Sequence, residues 1–291
     1  MEQKHPKLEF KNKHSPASSF DLVDLKTVLH SKYDNHSPFA LHQIEFFTIV
    51  LYTKGEEVHT IDFTNYECKE GTILFLRKGQ IHKFSNNEVE GSILVFTYDF
   101  LAAYFTKSEV ERALLLFNEF LKQPVLNLPN EQKETISNLI DQIKQEYLEA
   151  KDEHSPKIIR SFVQVIIDTM YRIKPLQQTN EANKKYLTDF IRFQQLIEQD
   201  FNPSVKVKDY AQALGLHTKT LNAITHRVVG KSAKTFIDEI RVNNIKRQLL
   251  NSEQSIKEVA YKCGFIETTN FNNYFKKRVD KTPLEFRKNK Q

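Results

Sequence analysis

Apolar residues in the first hundred positions come in short runs separated by glycine, asparagine and charged residues. The runs are rich in Ile, Val, Phe and Thr, as β-strands are. They occupy residues 42–52, 56–63, 71–77 and 91–100. Short strands at this spacing are typical of a sandwich or a small barrel. We therefore predict a β-barrel over residues 20–105, preceded by a flexible polar segment over residues 1–19.

The apolar period becomes that of an α-helix between residues 106 and 173. In the last helix of this region Ser155 is expected to cap the N-terminus, with Pro156 at the first helical position. Residues 155–173 are apolar on nearly every side, so both sides of the helix should be covered. We expect the helices to pack on the barrel and to contact a second subunit in a homodimer. The polar stretch 174–185 is the predicted linker.

Residues 186–291 have helical period almost throughout. Their predicted helices are 186–200, 205–214, 217–228, 232–250, 255–263, 268–278 and 282–288. The chain is therefore predicted to be an α+β protein of two domains, with a β-rich first domain and an all-α second domain.

The second domain contains an internal repeat. The stretches VKDYAQALGL and IKEVAYKCGF, which begin at residues 207 and 256, match at a spacing of 49. In each copy a glycine, Gly215 or Gly264, ends the first helix, where a positive φ is expected. The repeat predicts two helix-turn-helix units, at 205–228 and 255–278, joined by a helix. The second helix of each unit presents its outer face to a major groove.

The charge is distributed unevenly along the 291 residues. The net charge is +5, but residues 185–291 carry 20 Lys and Arg against 11 Asp and Glu. A basic last third favours a polyanion partner such as double-stranded DNA, although a lysine-rich solvated surface is the alternative. The two cysteines suit a reducing compartment, and no signal peptide or membrane span is visible. We expect a soluble, cytoplasmic protein.

The second unit carries side chains suited to base recognition near the start of its second helix. Amides pair with adenine in two hydrogen bonds, and hydroxyls can bond to several bases. Lysines further along the helix suit phosphates. The expected contacts are Thr268, Thr269, Asn270 and Asn273 to bases, and Lys276 and Lys277 to phosphates. The alternative is that the polar residues cap the helix and the lysines are solvated.

With these motifs, the last hundred residues resemble the DNA-binding domain of AraC/XylS-type transcription regulators. The resemblance is carried by the repeat and by Ile-x-x-Val-Ala, Cys-Gly-Phe, Asn-Phe, Tyr-Phe-Lys-Lys and Thr-Pro-x-x-Phe-Arg between Ile256 and Arg287. It implies two recognition helices that read adjacent major-groove segments. In the first unit it implies base contacts from Lys219 and Asn222, base or phosphate contacts from His217, Thr218 and His226, and a phosphate contact from Lys231.

The chain departs from the family pattern mainly in the first unit. Thr225 stands where the family favours phenylalanine, and Ala223 where a long side chain often reads a base. In the second unit Asp280 replaces a usual glycine. We therefore expect the first unit to be less well packed and to contribute less specificity.

The N-terminal half resembles the cupin-like sensor domain of the same family. Gly71, Gly79 and His82 match a cupin motif in spacing, although Arg77 replaces its proline. The resemblance implies a barrel able to hold a small-molecule effector. The expected pocket residues are Phe46, Ile49, Leu51, Ile61, Phe75 and His82.

Two alternatives remain for the barrel. Imidazole and carboxylate groups at His42, Glu45, His59 and His82 could bind a metal in a cupin enzyme fused to a DNA-binding domain, but the histidine pair of the cupin motif is incomplete. A ligand-free interaction module is the other. No catalytic motif appears, so we expect no enzymatic activity and no cofactor. The expected partners are DNA, an effector and RNA polymerase. The family resemblance favours an activator, but the sequence does not decide between activation and repression.

Overall fold

A computed structural model describes residues 6–12, 15, 18–30, 37–121, 124–173, 181–251 and 254–288. The chain divides into two compact bodies, Pro6–Leu176 and Gln177–Gln291, which we call the first and second domains. This division confirms the predicted two-domain α+β class. Residues 174–180 of the predicted linker lie outside the described residues, and its remaining residues begin a helix at Glu181.

The first domain contains two five-stranded sheets. Its strands are β1 (Lys7–Leu8), β2 (Phe20–Asp24), β3 (His42–Ile44), β4 (Phe47–Lys54), β5 (Glu56–Ile61), β6 (Thr64–Lys69), β7 (Thr72–Leu76), β8 (Ile81–Lys83), β9 (Glu90–Phe96) and β10 (Val125–Asn127). Sheet I has the order β1-β3-β8-β5-β6, and sheet II has the order β10-β7-β4-β9-β2. Among the described residues no strand pair joins the two sheets. The predicted barrel is therefore an open, cupin-like jelly roll.

Part of the segment predicted to be flexible belongs to sheet I. Lys7 and Leu8 pair in parallel with Gln43 and Ile44. The Asn12 side chain donates to the Phe20 carbonyl at 2.7 Å. The prediction over residues 1–19 is wrong at these positions, because main-chain pairing and amide hydrogen bonds need no apolar side chain. Residues 1–5, 13–14 and 16–17 of that segment lie outside the described residues.

Four helices of the first domain cover one face of sheet II, and they are α2 (Tyr98–Ala102), α3 (Lys107–Leu116), α4 (Asn130–Gln145) and α5 (Ser155–Ile173). Helix α4 continues into a π-helical turn at Glu146–Ala150. The short helix α1 (Leu25–His30) instead packs in the core between the sheets through Leu25 and Leu29. Ile49 and Leu51 of β4 belong to the apolar core that includes α3, α4 and α5. Val50 and Tyr52 belong to a second core shared with sheet I. Strand β4 is therefore buried on both faces.

The second domain is all helical in its described residues. Its helices are α6 (Glu181–Gln199), α7 (Val207–Ala213), α8 (Thr218–Val229), α9 (Ala233–Asn251), α10 (Ile256–Lys262), α11 (Thr268–Val279) and α12 (Pro283–Lys288). Every helix except α6 begins and ends within two residues of its predicted bounds, and α6 begins five residues early.

Across the described ranges, each helix is too short or too polar to cross a bilayer.

Candidate functional site

The second helix-turn-helix unit turns at Gly264, where φ is +80°. The Phe265 N–H bonds to the Ala260 carbonyl at 3.0 Å, which closes the end of α10. A Cβ at position 264 would lie 3.0 Å from the Cα of Asn202 and 3.2 Å from the Cδ of Pro203. Backbone conformation and close packing therefore both require glycine here, which confirms the predicted turn.

Helix α11 has an apolar inner face and a polar outer face. Phe271 and Phe275 are fully buried. Thr268 is half-buried, and the exposed outer residues are Thr269, Asn270, Asn273, Lys276 and Lys277. The three basic residues of the last turn lie at the helix C-terminus, where the helix dipole favours cations.

Helix α8 matches α11 position by position at a spacing of 50. Both helices have twelve residues, and Leu221 and Thr225 are buried where α11 has Phe271 and Phe275. The small Thr225 is fully buried, and its hydroxyl donates to the Leu221 carbonyl at 2.8 Å. The predicted departure from a phenylalanine core is thus accommodated by a satisfied hydrogen bond.

Asn222 is a structural residue in this arrangement. Its Oδ1 accepts from the Ala233 N–H at 3.0 Å, and its Nδ2 donates to the Thr218 carbonyl at 3.1 Å. The side chain therefore caps the start of α9, and the prediction that it reads a base is not supported by its position. The outward position in α8 that corresponds to Asn273 is Ala223, which is exposed.

The other predicted residues of the first unit lie on its surface. His217, Thr218, Lys219 and His226 are exposed. Lys231 is bound by Glu239, with 2.6 Å between Nζ and Oε2, so this ion pair competes with a phosphate. Two exposed residues were missed, Thr220 and Arg227, which correspond to Asn270 and Lys277. Alignment of the two units at a spacing of 50 would have identified both.

Helix α9 contacts both helix-turn-helix units. Arg241 is buried, and its Nη2 donates to the Val205 carbonyl at 2.9 Å and to the Tyr210 hydroxyl at 3.2 Å, ahead of and within α7. Asp238, one turn earlier on α9, accepts from the Tyr274 hydroxyl of α11 at 2.8 Å. Together with the Asn222 cap, which ties α8 to the start of α9, these contacts place both recognition helices against one connecting helix, as predicted.

In the first domain, a cavity of about 330 Å³ lies between the two sheets. Its wall is mainly apolar, with His42, His82 and Thr48 among the buried polar residues. The complete lining is Leu8, Glu9, Phe10, Lys11, Asp21, Leu22, Val23, Asp24, Thr27, Val28, Pro38, His42, Ile44, Phe46, Thr48, Val50, His82, Phe84, Ile93 and Val95.

Only part of the predicted pocket lies in this cavity. Phe46 and His82 line it. Ile49, Leu51 and Phe75 instead face the helices in the other core, and Ile61 is buried between the sheets outside the lining. The prediction chose the wrong face of β4, because both faces are apolar and side-chain alternation alone does not say which face borders the cavity.

A chain of buried polar residues leads from the interior to the cavity wall. Glu57 accepts hydrogen bonds from the Tyr52 hydroxyl and, at 2.9 Å, from the Ser85 N–H. The Nδ1 of His59 lies 3.1 Å from the Glu57 carboxylate, and its Nε2 lies 3.1 Å from the Nδ1 of His82. The His82 ring packs edge-on against His42, with centroids 4.1 Å apart. We call these five residues (Tyr52, Glu57, His59, His82 and His42) the polar chain.

Electrostatics favour an ionised Glu57. Burial alone raises the pKa of this carboxyl, but the hydrogen bonds and charge of His59, with the bonds from Tyr52 and Ser85, outweigh it and lower the pKa. Burial and the Glu57 charge raise the pKa of Tyr52 well above its usual value, so its hydroxyl stays protonated and donates. Neither Tyr52 nor Glu57 belongs to a motif that would indicate this role from the sequence alone.

The predicted metal candidates are only partly brought together. His42 and His82 are register partners on β3 and β8. Glu45 points elsewhere and forms ion pairs with Lys7 and Lys78, each at 3.4 Å. Within the described ranges, no three His, Cys, Asp or Glu side chains form a group able to hold a metal ion.

Two family models match the chain. The model described as AraC-like ligand binding domain matches residues 26–161, which contain β3 to β10 and α2 to α4. The model described as Helix-turn-helix domain matches residues 210–289, which begin within α7 and contain α8 to α12.

The chain belongs to the AraC family of transcription regulators.

Two curated relatives match over most of the chain. The HTH-type transcriptional activator RhaS of Yersinia pseudotuberculosis serotype I (strain IP32953) is 22% identical over 261 residues, which are 86% of this chain and 90% of that protein. RhaS of Yersinia pestis matches with the same identity and coverage.

Solved structures also match. ToxT from Vibrio cholerae O395 is 14% identical, covers 92% of this chain and 97% of its own, and has a TM-score of 0.46. An AraC-type DNA-binding domain protein from Chromobacterium violaceum is 22% identical over 38% of this chain and 96% of its own, with a TM-score of 0.32.

Proposed function

We propose that this AraC-family regulator activates transcription by reading DNA with the outer faces of α8 and α11. The observation that carries the proposal is the matched pair of helices, each with a buried inner face and an exposed polar outer face. Lysines, hydroxyls and amides on these faces suit phosphates and base edges. Activation is proposed because the RhaS relatives are named as transcriptional activators, and it implies a contact with RNA polymerase.

The second unit carries most of the base recognition in this proposal. Asn273 is exposed on α11, whereas its counterpart Ala223 has no hydrogen-bonding group. Thr269 and Asn270 lie one turn before Asn273, and Lys276 and Lys277 follow it toward the phosphates. In the first unit Lys219, Thr220 and His226 contribute, while Asn222 serves the fold. The two helices read major-groove segments about 34 Å apart, near one turn of DNA.

The first domain is proposed to bind a small-molecule effector and to dimerise. The cavity between the sheets supports an effector site. Dimerisation is supported by Ile158 and Val165 of α5, which are 36% and 46% exposed, with the half-buried Phe162 between them on the same stripe. A second copy of the chain would cover this stripe. The regulator would act in the cytoplasm, on DNA, without catalysing a reaction.

DNA binding by the full chain tests the proposal. The chain is titrated with genomic fragments across a salt series, and tight, sequence-selective binding with log K falling steeply in log salt is expected. Asn273→Ala should weaken the preferred site by about 1–3 kcal/mol and relax specificity at one position. Lys276→Ala should weaken all DNA equally and lower the salt slope by about one.

A matched control is available on α5. Lys157 is exposed in the first domain, and Lys157→Ala makes the same change of charge outside the DNA-binding domain. Equal effects of Lys157→Ala and Lys276→Ala would contradict the placement of DNA on α11, as would unchanged specificity in Asn273→Ala.

A further inference from the structure

Asn272 of α11 is the repeat counterpart of Asn222 in α8, at the spacing of 50 that aligns the two helices. The segments that follow the two helices also correspond. Each helix ends at a residue with positive φ. The next helix begins three residues further on, α9 at Ala233 and α12 at Pro283. The first copy therefore shows what Asn272 would do if the second copy were built in the same way.

The first residue of the following helix decides whether the asparagine has a structural partner. The Asn222 Oδ1 accepts from the Ala233 N–H at 3.0 Å, and its Nδ2 donates to the Thr218 carbonyl at 3.1 Å. Proline has no N–H, so Pro283 cannot make the corresponding bond to Asn272. Proline is also favourable at the first position of a helix, where an N–H has no partner within the helix. The proline thus takes the capping role away from Asn272.

The Asn272 side chain is left without a structural partner. It is half-buried, and it makes no hydrogen bond to any other part of the chain that the structure describes. An amide carries donors and an acceptor side by side, and removing them from water without partners is unfavourable. Because the fold does not use this amide, its hydrogen-bonding groups are available to a ligand.

Asn272 lies at the edge of the outer face of α11. At about 100° per residue, it lies one turn after Thr268 and Thr269 and one turn before Lys276, on the same side of the helix. The next residue, Asn273, is turned by about 100° toward the middle of the outer face. The two neighbouring amides therefore approach the major groove at different angles and reach different base pairs.

A base edge suits the Asn272 amide better than a phosphate. A phosphate offers only acceptors, so it would use the amide nitrogen and leave the amide oxygen unpaired. Adenine offers an acceptor, N7, and a donor, the N6 amino group, which an amide matches with two hydrogen bonds. Asn272 is the fifth residue of α11, which begins at Thr268. It therefore lies in the N-terminal half of the helix, the part that contacts base edges in helix-turn-helix proteins.

We propose that Asn272 reads a base pair, with adenine as the preferred base, separate from the base pair read by Asn273. The second helix-turn-helix unit then recognises DNA with two adjacent amides. The first unit has neither, because Asn222 is bound by the Ala233 N–H and Ala223 has no amide. The inference rests on the proposed function, because it takes α11 to lie in the major groove.

Base preference measured position by position tests the assignment. The site preferred by the full chain is selected from random DNA, and each of its base pairs is then replaced in turn. Asn272→Ala should lose about 5–100-fold of discrimination at one base pair, and Asn273→Ala should lose it at a different one. Three results would overturn the proposal: loss at the same base pair in both variants, an unchanged preference in Asn272→Ala, or equal weakening of all sequences, which would indicate a phosphate contact.

Pro283→Ala tests why the amide is free. It supplies an N–H at position 283, which Asn272 can bind as Asn222 binds that of Ala233. Discrimination at the Asn272 base pair should fall by about 3–10-fold. The effect should vanish in the Asn272→Ala background, where no amide remains to be captured. Equal discrimination in Pro283→Ala and wild type would refute the role assigned to the proline.

Unfolding separates this role from a structural one. Asn272→Ala should not lower the midpoint of urea unfolding. Its matched control in α8, Asn222→Ala, should lower the midpoint, because the Ala233 N–H loses its acceptor. A lowered midpoint in Asn272→Ala with an unchanged base preference would show that the side chain serves the fold. A wild-type chain that selects no site would refute the DNA proposal as well, whereas selection with the same preference in Asn272→Ala would refute the present inference alone.

Discussion

Asp238 of α9 binds Arg278 of α11, with 2.8 Å between Oδ2 and Nη2. The guanidinium also lies 3.6 Å above the centroid of the Tyr274 ring, and the Tyr274 hydroxyl donates to the other oxygen of Asp238. Although Arg278 follows two lysines in a basic turn, it is held by the connecting helix. Its charge fixes the orientation of α11, and the neighbouring Lys276 and Lys277 project outward.

This relationship predicts different effects for neighbouring cations. Arg278→Met should lower the free energy of unfolding by about 1–2 kcal/mol, because it leaves the Asp238 carboxylate without its ion pair. The salt slope of DNA binding should stay the same, whereas Lys276→Ala lowers it by about one. Denaturant unfolding and DNA titrations of the two variants check this. A lowered salt slope in Arg278→Met would show that Arg278 contacts phosphate.

Asn222 of α8 and Asn273 of α11 should behave in opposite ways. Asn222→Ala removes the acceptor for the Ala233 N–H and should destabilise the second domain by about 1 kcal/mol. Asn273→Ala should change stability by less than about 0.5 kcal/mol, since its side chain is exposed. Thermal unfolding of both variants, beside the DNA titrations, separates a capping residue from a reading residue. Equal stabilities would contradict the cap.

Positive φ at the ends of the two recognition helices offers a reciprocal test. Helix α8 ends at Gly230 with φ +71°, and α11 ends at Asp280 with φ +57°. Asp280→Gly should stabilise the chain by about 1 kcal/mol, because only glycine adopts this conformation without strain. Gly230→Asp should cost a similar amount, since a Cβ there meets nothing within 4 Å. Shifts of the same sign in the two unfolding curves would refute the argument.

The two turn glycines separate backbone strain from close packing. Gly215 and Gly264 both have positive φ, at +67° and +80°, but a Cβ crowds Asn202 only at Gly264. Gly215→Ala should therefore cost about 1 kcal/mol and Gly264→Ala about 2–4 kcal/mol. Urea unfolding measures both. Equal losses would mean that the segment around Asn202 moves away without penalty.

The lowered pKa of Glu57 predicts a pH-dependent contribution to stability. The folded pKa lies below the value of 4.5 for a free carboxyl, so the contribution is fully present above about pH 4.5 and is lost as the pH falls through the folded pKa. Glu57→Gln should destabilise the chain by about 1.5–3 kcal/mol at pH 7, because an amide cannot accept all its hydrogen bonds. The difference from wild type should shrink below pH 4.5 in urea unfolding. A constant difference between pH 3.5 and 7 would contradict an ionised Glu57.

The sequence pattern predicted the helices of the second domain closely, because each has one buried face and clear end signals. Ser255 and Glu258, for example, form the capping box that starts α10. Strand β5 shows why the effector side was harder. Its Glu57 and His59 point inward while Val58 is 41% exposed, which inverts the usual alternation. Such an inversion is visible in the sequence only as two polar residues beside a valine, and the hydrogen bonds that stabilise it come from β4 and β8.

Because β4 is buried on both faces, a single layer of β-sheet separates the cavity from the helices. Thr48 and Val50 touch the space that a small molecule would fill, while the intervening Ile49 supports the core that includes α5. One strand is at once the inner wall of the cavity and the floor beneath the helices. A guest in the cavity and a partner on α5 would therefore press on opposite sides of the same peptide backbone.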